Sequence, residues 1–99
     1  MSQKYDEDAI KKYFELSGKI AIQMNSKLND NEKLFLYGLY KQVMFGDCTS
    51  SEPSIINFTE NSKWKAWKKN AKMSKIVAMD TYANFVSKLI DKYNIEKNQ

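Results

Sequence analysis

The stretch LYGLYKQ at residues 36–42, followed by GD at 46–47, carries the most specific pattern in this chain. Tyr37 and Lys41 are four residues apart, and Tyr40 follows Tyr37 by three residues. On a helix, side chains with these spacings share one face. The pattern therefore sets aromatic surface beside a fixed positive charge, an arrangement that suits an aromatic phosphorylated ligand such as a nucleotide.

Helical patterns extend on both sides of this stretch. The first predicted helix opens with acidic residues, which favour a helix N-terminus. The second should end at Gly46, because glycine is common just past helix ends. Ser74 is a good N-cap for the fourth helix, whose apolar residues recur at steps of three and four. The predicted helices span about residues 6–24, 30–44, 61–71 and 74–93.

The composition indicates one all-α domain. The chain has 99 residues but only one proline and three glycines, so it contains few residues that break helices. No segment shows a convincing strand pattern, and a chain of this length is large enough for a single core. We therefore predict a four-helix bundle that forms one domain over residues 1–99. Its core should lie at about 14–93, with frayed ends at 1–5 and 94–99.

Three local features lead to further expectations about packing. Asp30 is expected to cap the second helix without a capping box, since the residue three positions later is Lys rather than Glu or Gln. Small residues around Gly18 should let another helix approach closely. The long loop at 47–60 contains apolar residues, which should pin it to the core. These loop residues are Ile55, Ile56 and Phe58.

The residue types present exclude most kinds of enzyme. The chain contains no His and a single Cys, Cys48, so His-based acid–base catalysis, Cys–His nucleophiles and Cys-clustered zinc sites are ruled out. We expect no catalytic residue, no metal site and no cofactor. A lone cysteine permits no internal disulfide, and no apolar run approaches the ~20 residues needed to span a bilayer. We therefore predict a cytoplasmic binding protein.

A lysine stripe on the third predicted helix leaves two alternatives open. The net charge is +4, and lysines interleaved with tryptophans are typical of single-stranded nucleic-acid binding. The same helix would also suit a membrane surface. The absence of Arg argues against sequence-specific DNA reading. The stripe consists of Lys65, Lys68, Lys69 and Lys72, and the tryptophans are Trp64 and Trp67.

Taken in order, the motifs resemble the signature of the acyl-CoA-binding protein family. The spacing from Tyr37 to Tyr82 matches that signature without insertion or gap, and the resemblance covers roughly residues 14–93. The matching segments are LFLYGLYKQ at 34–42, GD at 46–47, Pro53, KWKAW at 63–67 and MSKIVAMDTY at 73–82.

The resemblance implies an up-down-down-up four-helix bundle that binds medium- to long-chain fatty acyl-CoA thioesters reversibly. Such a protein would be a monomer that transports or buffers its ligand between the enzymes that make and use acyl-CoA. It would have no nucleic-acid partner and at most transient contact with membranes.

The resemblance also implies a ligand site with three parts. A set that holds the phosphates, chiefly the ribose 3′-phosphate, consists of Tyr37, Lys41 and Lys63. A pair that frames the adenine and ribose consists of Tyr40 and Tyr82. The acyl groove includes Phe14 and Leu34.

Individually these residues also have ordinary interpretations. Tyr82 lies on the apolar stripe of the fourth helix and would be expected in the core, while lysines are usually solvated. The chain also departs from the family pattern. Ile22 occupies the place of a head-group lysine on helix one, and Lys19, one turn earlier, is a candidate replacement. Lys72 stands where many members have glycine, so the turn between the third and fourth helices should differ.

Overall fold

The computed structural model describes residues 6–94, which form four α-helices with a short 3₁₀ turn at Asn25–Lys27. No strand occurs within this range, so the all-α prediction is confirmed. Apart from Asn94, the ends predicted to fray lie outside the described residues. The helices are α1 at Glu7–Gln23, α2 at Asp30–Phe45, α3 at Phe58–Lys68 and α4 at Lys75–Lys92.

Side chains that bond to free backbone N–H groups set the starts of α2 and α4. Asn29, not Asp30, caps α2: its side chain accepts from the Glu32 N–H at 2.8 Å, and the Glu32 carboxylate accepts from the Asn29 N–H at 2.9 Å. This is a capping box, so the prediction of a cap without one was wrong by one position. Ser74 caps α4 as predicted, accepting from the Val77 N–H.

Contacts between helices give the up-down-down-up order. α1 and α2 are antiparallel, since Phe14 in the middle of α1 stacks with Tyr40 in the second half of α2, and Ile22 at the end of α1 lines a pocket with Lys33 near the start of α2. α2 and α4 are also antiparallel, because Glu32 at the start of α2 bonds to Lys92 at the end of α4.

α3 crosses α2 where Gly38 approaches Ala66. The two helices run in the same general direction, since Lys63 lies beside Tyr37, and Trp67, later in α3, lies beside Phe45, later in α2.

The core lies between α1, α2 and α4. None of its fully buried apolar members comes from α3. α3 is therefore attached chiefly by its close backbone approach to α2 and by polar bonds to the preceding loop. The buried core residues are Phe14, Ala21, Met24, Leu28, Leu36, Leu39, Val43, Ala78, Met79, Tyr82, Val86 and Leu89.

The close helix approach occurs at Gly38, not at Gly18 as predicted. A Cβ added at Gly38 would lie 2.7 Å from the carbonyl carbon of Ala66 on α3 and closer still to its oxygen. A Cβ at Gly18 would meet nothing within 4 Å. Only a residue without a side chain lets the α2 and α3 backbones cross at this separation.

The loop between α2 and α3 is held by polar bonds, so the prediction that its apolar residues pin it to the core was wrong. Buried Asn61 donates to the Glu52 carboxylate and to the Pro53 carbonyl, and Trp64 donates to the Ser50 carbonyl. Cys48 is the residue of this loop that is buried. Exposed instead are Ile55, Ile56 and Phe58.

A second polar link ties the end of α2 to the turn before α4. The Asp47 carboxylate accepts from the buried Gln42 amide at 2.8 Å and from the Lys72 backbone N–H at 2.7 Å. These bonds, led by that from Gln42, lower the pKa of Asp47. Lys72 has φ of 72°, in the left-handed region that favours glycine. The bond from its N–H to Asp47 supports that strained turn.

Glu32 also joins the ends of α2 and α4. Its carboxylate accepts from Lys92 Nζ at 2.5 Å and from the Tyr93 hydroxyl at 2.6 Å. The bond from Lys92, then that from Tyr93, lowers the pKa of Glu32 from its ordinary 4.5 to about 2. The same bonds raise the pKa of Lys92 and Tyr93. This buried carboxylate therefore favours the folded state when it is ionised.

We expect Glu32→Gln to lower the melting temperature in a pH-dependent way. Because folding lowers the Glu32 pKa, its stabilising effect is fully present above pH 4.5 and is lost as the pH falls toward 2. The difference in melting temperature between wild type and variant should therefore be constant near neutrality and shrink across this window. Thermal denaturation followed by circular dichroism over a pH series measures it. Glu15→Gln, on the exposed face of α1, is the matched control and should show no comparable window.

Two further properties hold for the described residues. None of the helices within residues 6–94 is long and apolar enough to cross a membrane. The same range contains no group of three or more side chains suited to holding a metal ion.

Candidate functional site

Two lysines from different helices meet at one tyrosine ring. Lys41 Nζ, on α2, lies 5.9 Å from the centroid of the Tyr37 ring, and Lys63 Nζ, on α3, lies 5.5 Å from it. The parallel packing of α3 on α2 is what brings Lys63 to this position. Two positive charges beside a phenol hydroxyl create a place where an anionic group is favoured.

Aromatic rings surround the Lys41 ammonium group. Its Nζ lies 4.4 Å from the Phe45 ring centroid and 4.9 Å from that of Trp67. Cation–π attraction at these distances limits where the ammonium group rests. Among residues 6–94, Lys41 has no carboxylate within ion-pair distance, whereas Lys63 lies 3.8 Å from the Glu60 carboxylate. Lys41 therefore keeps its charge available for a ligand.

Sequence reasoning did not identify Phe45 or Trp67 as neighbours of Lys41. Phe45 follows Lys41 by four residues, and this spacing on a helix predicts their contact. Trp67 follows Lys63 by four residues and so shares a face of α3 with Lys63. The contact with Trp67 depends in addition on the crossing of α2 and α3.

Phe14, Tyr40 and Tyr82 form a second aromatic cluster. The Phe14 ring stacks with Tyr40 at a centroid distance of 6.3 Å and meets Tyr82 edge to face at 5.1 Å. Tyr82 is 6% exposed, and its burial, followed by the proximity of Tyr40, raises its pKa. Tyr40 is 46% exposed. The cluster thus presents one accessible ring backed by two fixed ones.

A cavity of about 650 Å³ opens beside this cluster, between α1, α2 and α4. It exposes aromatic surface on one side and the polar residues of α1 on another. Its lining includes one positively charged side chain, Lys19, and one negatively charged side chain, Glu15. The lining residues are Phe14, Glu15, Gly18, Lys19, Ile22, Tyr40, Met44 and Tyr82.

A separate groove of about 460 Å³ runs between the first half of α2 and α3. Its apolar lining consists of Leu34, Phe35 and Ala66. Two lysines, Lys65 and Lys69, also line the groove. Leu34 therefore lines a different cavity from Phe14, which lies with Tyr40 and Tyr82. The two residues assigned together to an acyl groove are not brought together.

The five head-group residues predicted from the sequence lie in two neighbouring clusters along α2. Tyr37, Lys41 and Lys63 form the first, and Tyr40 and Tyr82 belong to the second. Tyr40 and Lys41 are consecutive, so the two clusters lie at the same level of α2 but point about 100° apart around its axis. Neither of the two cavities described above is lined by all five.

The tryptophans of α3 are engaged with the protein itself. Trp67 donates its indole N–H to the Gly46 carbonyl, and Trp64 donates to the Ser50 carbonyl. Lys41 lies over the Trp67 ring and Lys68 over the Trp64 ring. The indole bonds hold the loop to α3, and Trp64 also lines a surface pocket with Lys65, Lys68 and Lys69.

Comparison with known proteins identifies a matching family. The model of the family described as "Acyl CoA binding protein" matches residues 3–86. This chain belongs to the acyl-CoA-binding protein family. In that family the all-α bundle described above is the expected fold, and the crystal structure of Oryza sativa acyl-CoA-binding protein 2 superposes on it with a TM-score of 0.80. The superposition has 32% sequence identity and covers 90% of this chain and 99% of the rice chain.

Relatives within the family differ in length. The chain is 35% identical over 85 residues to acyl-CoA-binding protein 2 of Saccharomyces pastorianus, covering 86% of this chain and 98% of the yeast protein. It is 37% identical over 73 residues to the acyl-CoA-binding domain-containing protein 6 homolog of Dictyostelium discoideum, which spans 74% of this chain but only 24% of that protein. The single-domain interpretation of residues 1–99 stays a prediction.

Proposed function

We propose that this protein binds fatty acyl-CoA thioesters reversibly and carries or buffers them in the cytoplasm. The observation that carries the proposal is the convergence of Lys41 and Lys63, from two helices, on the Tyr37 ring. Beside it lie an aromatic cavity and an apolar groove, which match the two chemically different ends of an acyl-CoA. Membership of the acyl-CoA-binding protein family supports the same ligand.

The head of the ligand would occupy the two clusters along α2. Lys41 and Lys63, with the Tyr37 hydroxyl, would hold phosphate oxygens, chiefly those of the ribose 3′-phosphate. The adenine would lie against the exposed Tyr40 ring, with the buried Tyr82 fixing its position. Phe14 contacts both of these rings and so belongs with the head site in this proposal.

Lys19 is proposed as the contribution of α1 to the head site. It lines the same cavity as Tyr40 and Tyr82, and so does Ile22, which has no charge to offer a phosphate. Glu15, one helical turn before Lys19, lines the same cavity and would disfavour a phosphate placed next to it. We therefore propose that Lys19 contacts the ligand head at the edge of its site, more weakly than Lys41 does.

The acyl tail would lie in the groove that includes Leu34. Removing a methylene from water is worth about 0.8 kcal/mol, so a sixteen-carbon tail offers on the order of 10 kcal/mol before ordering costs. A charge pair at a partly exposed site is worth only about 1 kcal/mol. Tail burial should therefore dominate affinity, while the lysines and tyrosines select CoA thioesters over free fatty acids.

Calorimetry with palmitoyl-CoA, CoA and palmitate tests the two-part mechanism. Palmitoyl-CoA should bind more tightly than CoA by on the order of a thousandfold or more, because CoA lacks the buried tail. Palmitate should also bind more weakly, because it lacks the phosphates. Comparable affinities for all three ligands would contradict the proposal.

The protein is proposed to act by binding alone, as a monomer. Enzymes that produce or consume acyl-CoA would be its functional partners, with no nucleic-acid partner. The match to the acyl-CoA-binding protein family favours this ligand over the nucleic-acid alternative.

A further inference from the structure

A cavity of about 290 Å³ lies between α1 and α4, and we refer to it as the α1–α4 cavity. It shares no lining residue with the aromatic cavity or with the groove between α2 and α3. Its volume is at the small end of the range for ligand sites, which suits a compact ligand with one ring system. Its apolar wall consists of Ala9, Ile10, Ala83, Val86 and Ile90.

A buried serine on α1 leaves its hydroxyl group for an occupant of this cavity. Ser17 lines the cavity and is only 8% exposed, although serine is usually an exposed residue type. Within residues 6–94, its Oγ has no hydrogen-bond partner. The Thr81 hydroxyl on α4, in contrast, donates to the Val77 carbonyl of its own helix at 2.8 Å. Because a buried hydroxyl without a partner is unfavourable, a ligand that bonds to Ser17 is favoured here.

An aspartate on α4 gives the cavity a negative charge. Asp80 is half-buried and, among the described residues that line the cavity, is the one that is charged at neutral pH. No lysine in the described part of the chain lies within ion-pair distance of its carboxylate. Lys12 and Lys88 are each next in sequence to a lining residue, but neither lines the cavity. The cavity therefore combines an apolar wall with a carboxylate that has no cationic partner.

We propose that the α1–α4 cavity binds small amphipathic amines. The protonated amino group pairs with Asp80, the ring system lies against the apolar wall, and the Ser17 hydroxyl bonds to a polar group of the ligand. Tyr13 also lines the cavity and is 60% exposed, so the face of its ring is accessible to the same cation. An anion of the same shape is disfavoured by the Asp80 charge. This site is separate from the proposed acyl-CoA site and does not depend on it.

Titration of the isotope-labelled protein, followed by the chemical shifts of its backbone amides, tests this site. The probes are tryptamine, tryptophol and indole-3-propionate, which share an indole ring and differ in the charge at the end of its side chain. Tryptamine, the cation, should bind about tenfold more tightly than the neutral tryptophol, and indole-3-propionate should bind most weakly. The largest shift changes should occur at Ser17, Ala83 and Ser87 rather than at Tyr40 and Lys41.

Asp80→Asn keeps the shape of the side chain and removes its charge. It should weaken tryptamine binding by about tenfold, to the level of tryptophol, and leave tryptophol binding nearly unchanged. Ser17→Ala should instead weaken both probes alike, by roughly threefold, because the lost bond does not depend on charge. Circular dichroism of each variant should match that of wild type.

Asp30→Asn is the matched control, because it removes one carboxylate from an exposed position on α2. It should keep the preference for tryptamine. An equal loss of that preference in Asp30→Asn would attribute it to net charge and overturn the proposal. The proposal would also be overturned by equal affinities for tryptamine and indole-3-propionate, by an unchanged preference in Asp80→Asn, by shift changes centred on Tyr40 and Lys41, or by no binding of tryptamine at millimolar concentration.

Discussion

Gly38→Ala is expected to destabilise the protein by roughly 2 kcal/mol or more, as overpacking of a close backbone contact does. The added Cβ would lie 2.7 Å from the carbonyl carbon of Ala66, which is part of the α3 backbone and cannot rotate away. α3 would have to separate from α2. Urea denaturation, followed by fluorescence of Trp64 and Trp67, measures the loss.

Gly18→Ala provides the matched control for this change. Gly18 also lies within a helix, but a Cβ there would meet nothing within 4 Å. Ala in place of a mid-helix Gly should then stabilise by about 0.5–1 kcal/mol. Opposite signs for the two substitutions would support the close crossing of α2 and α3 at Gly38. A neutral effect of Gly38→Ala would show that the helices do not approach at this point.

Lys41→Ala should weaken palmitoyl-CoA binding by about tenfold with little change in melting temperature. A hydrogen bond to a charged group is worth about 1.5–3 kcal/mol, and the partial exposure of Lys41 places it at the lower end of this range. Folding should be little affected, because Lys41 contacts other residues mainly through cation–π interactions at the edge of the core. Titration calorimetry at fixed ionic strength gives the affinity.

Palmitoyl-dephospho-CoA, which lacks the ribose 3′-phosphate, shows where Lys41 acts. If Lys41 holds that phosphate, the variant and wild type should bind this ligand equally. Lys88→Ala removes the same charge from the exposed surface of α4 and should leave both affinities unchanged. Lys19→Ala should show a smaller effect than Lys41→Ala. A similar loss for Lys88→Ala would attribute the result to net charge, and no loss for Lys41→Ala would remove Lys41 from the site.

The helices could be predicted because their signals are local. Ser74 bonds to a backbone N–H three residues away, and the apolar repeat of α4 depends only on helical spacing. The bounds were least accurate for α3, which was predicted at about 61–71 and spans Phe58–Lys68, where no side-chain bond caps the start. The N-cap of α2 was misplaced by one residue because two local signals compete. Asn29 and Asp30 are adjacent N-cap candidates, and the reciprocal bond from Asn29 to Glu32 favours the first.

The candidate site was predicted in part for the same reason. Tyr37 and Lys41 are four residues apart on α2, so their pairing follows from spacing alone, whereas Tyr40 lies in the other cluster. The assignment of Lys63 and Tyr82 came from the family resemblance, because no local rule indicates which distant helices will meet α2. The division into two clusters, and the separation of Phe14 from Leu34, followed only from how α1 and α3 pack on different sides of α2.

The sequence by itself determined the all-α class, the approximate helices, the absence of His and the family, since each depends on residue type or short spacing. Tertiary structure alone established the Gly38 crossing, the Glu32–Lys92 bond between residues 60 positions apart, and the exposure of Ile55, Ile56 and Phe58. These three residues show the physical reason. Apolar residues favour burial, but the polar bonds of Asn61 and Ser54 hold the backbone in a turn that leaves these side chains in solvent.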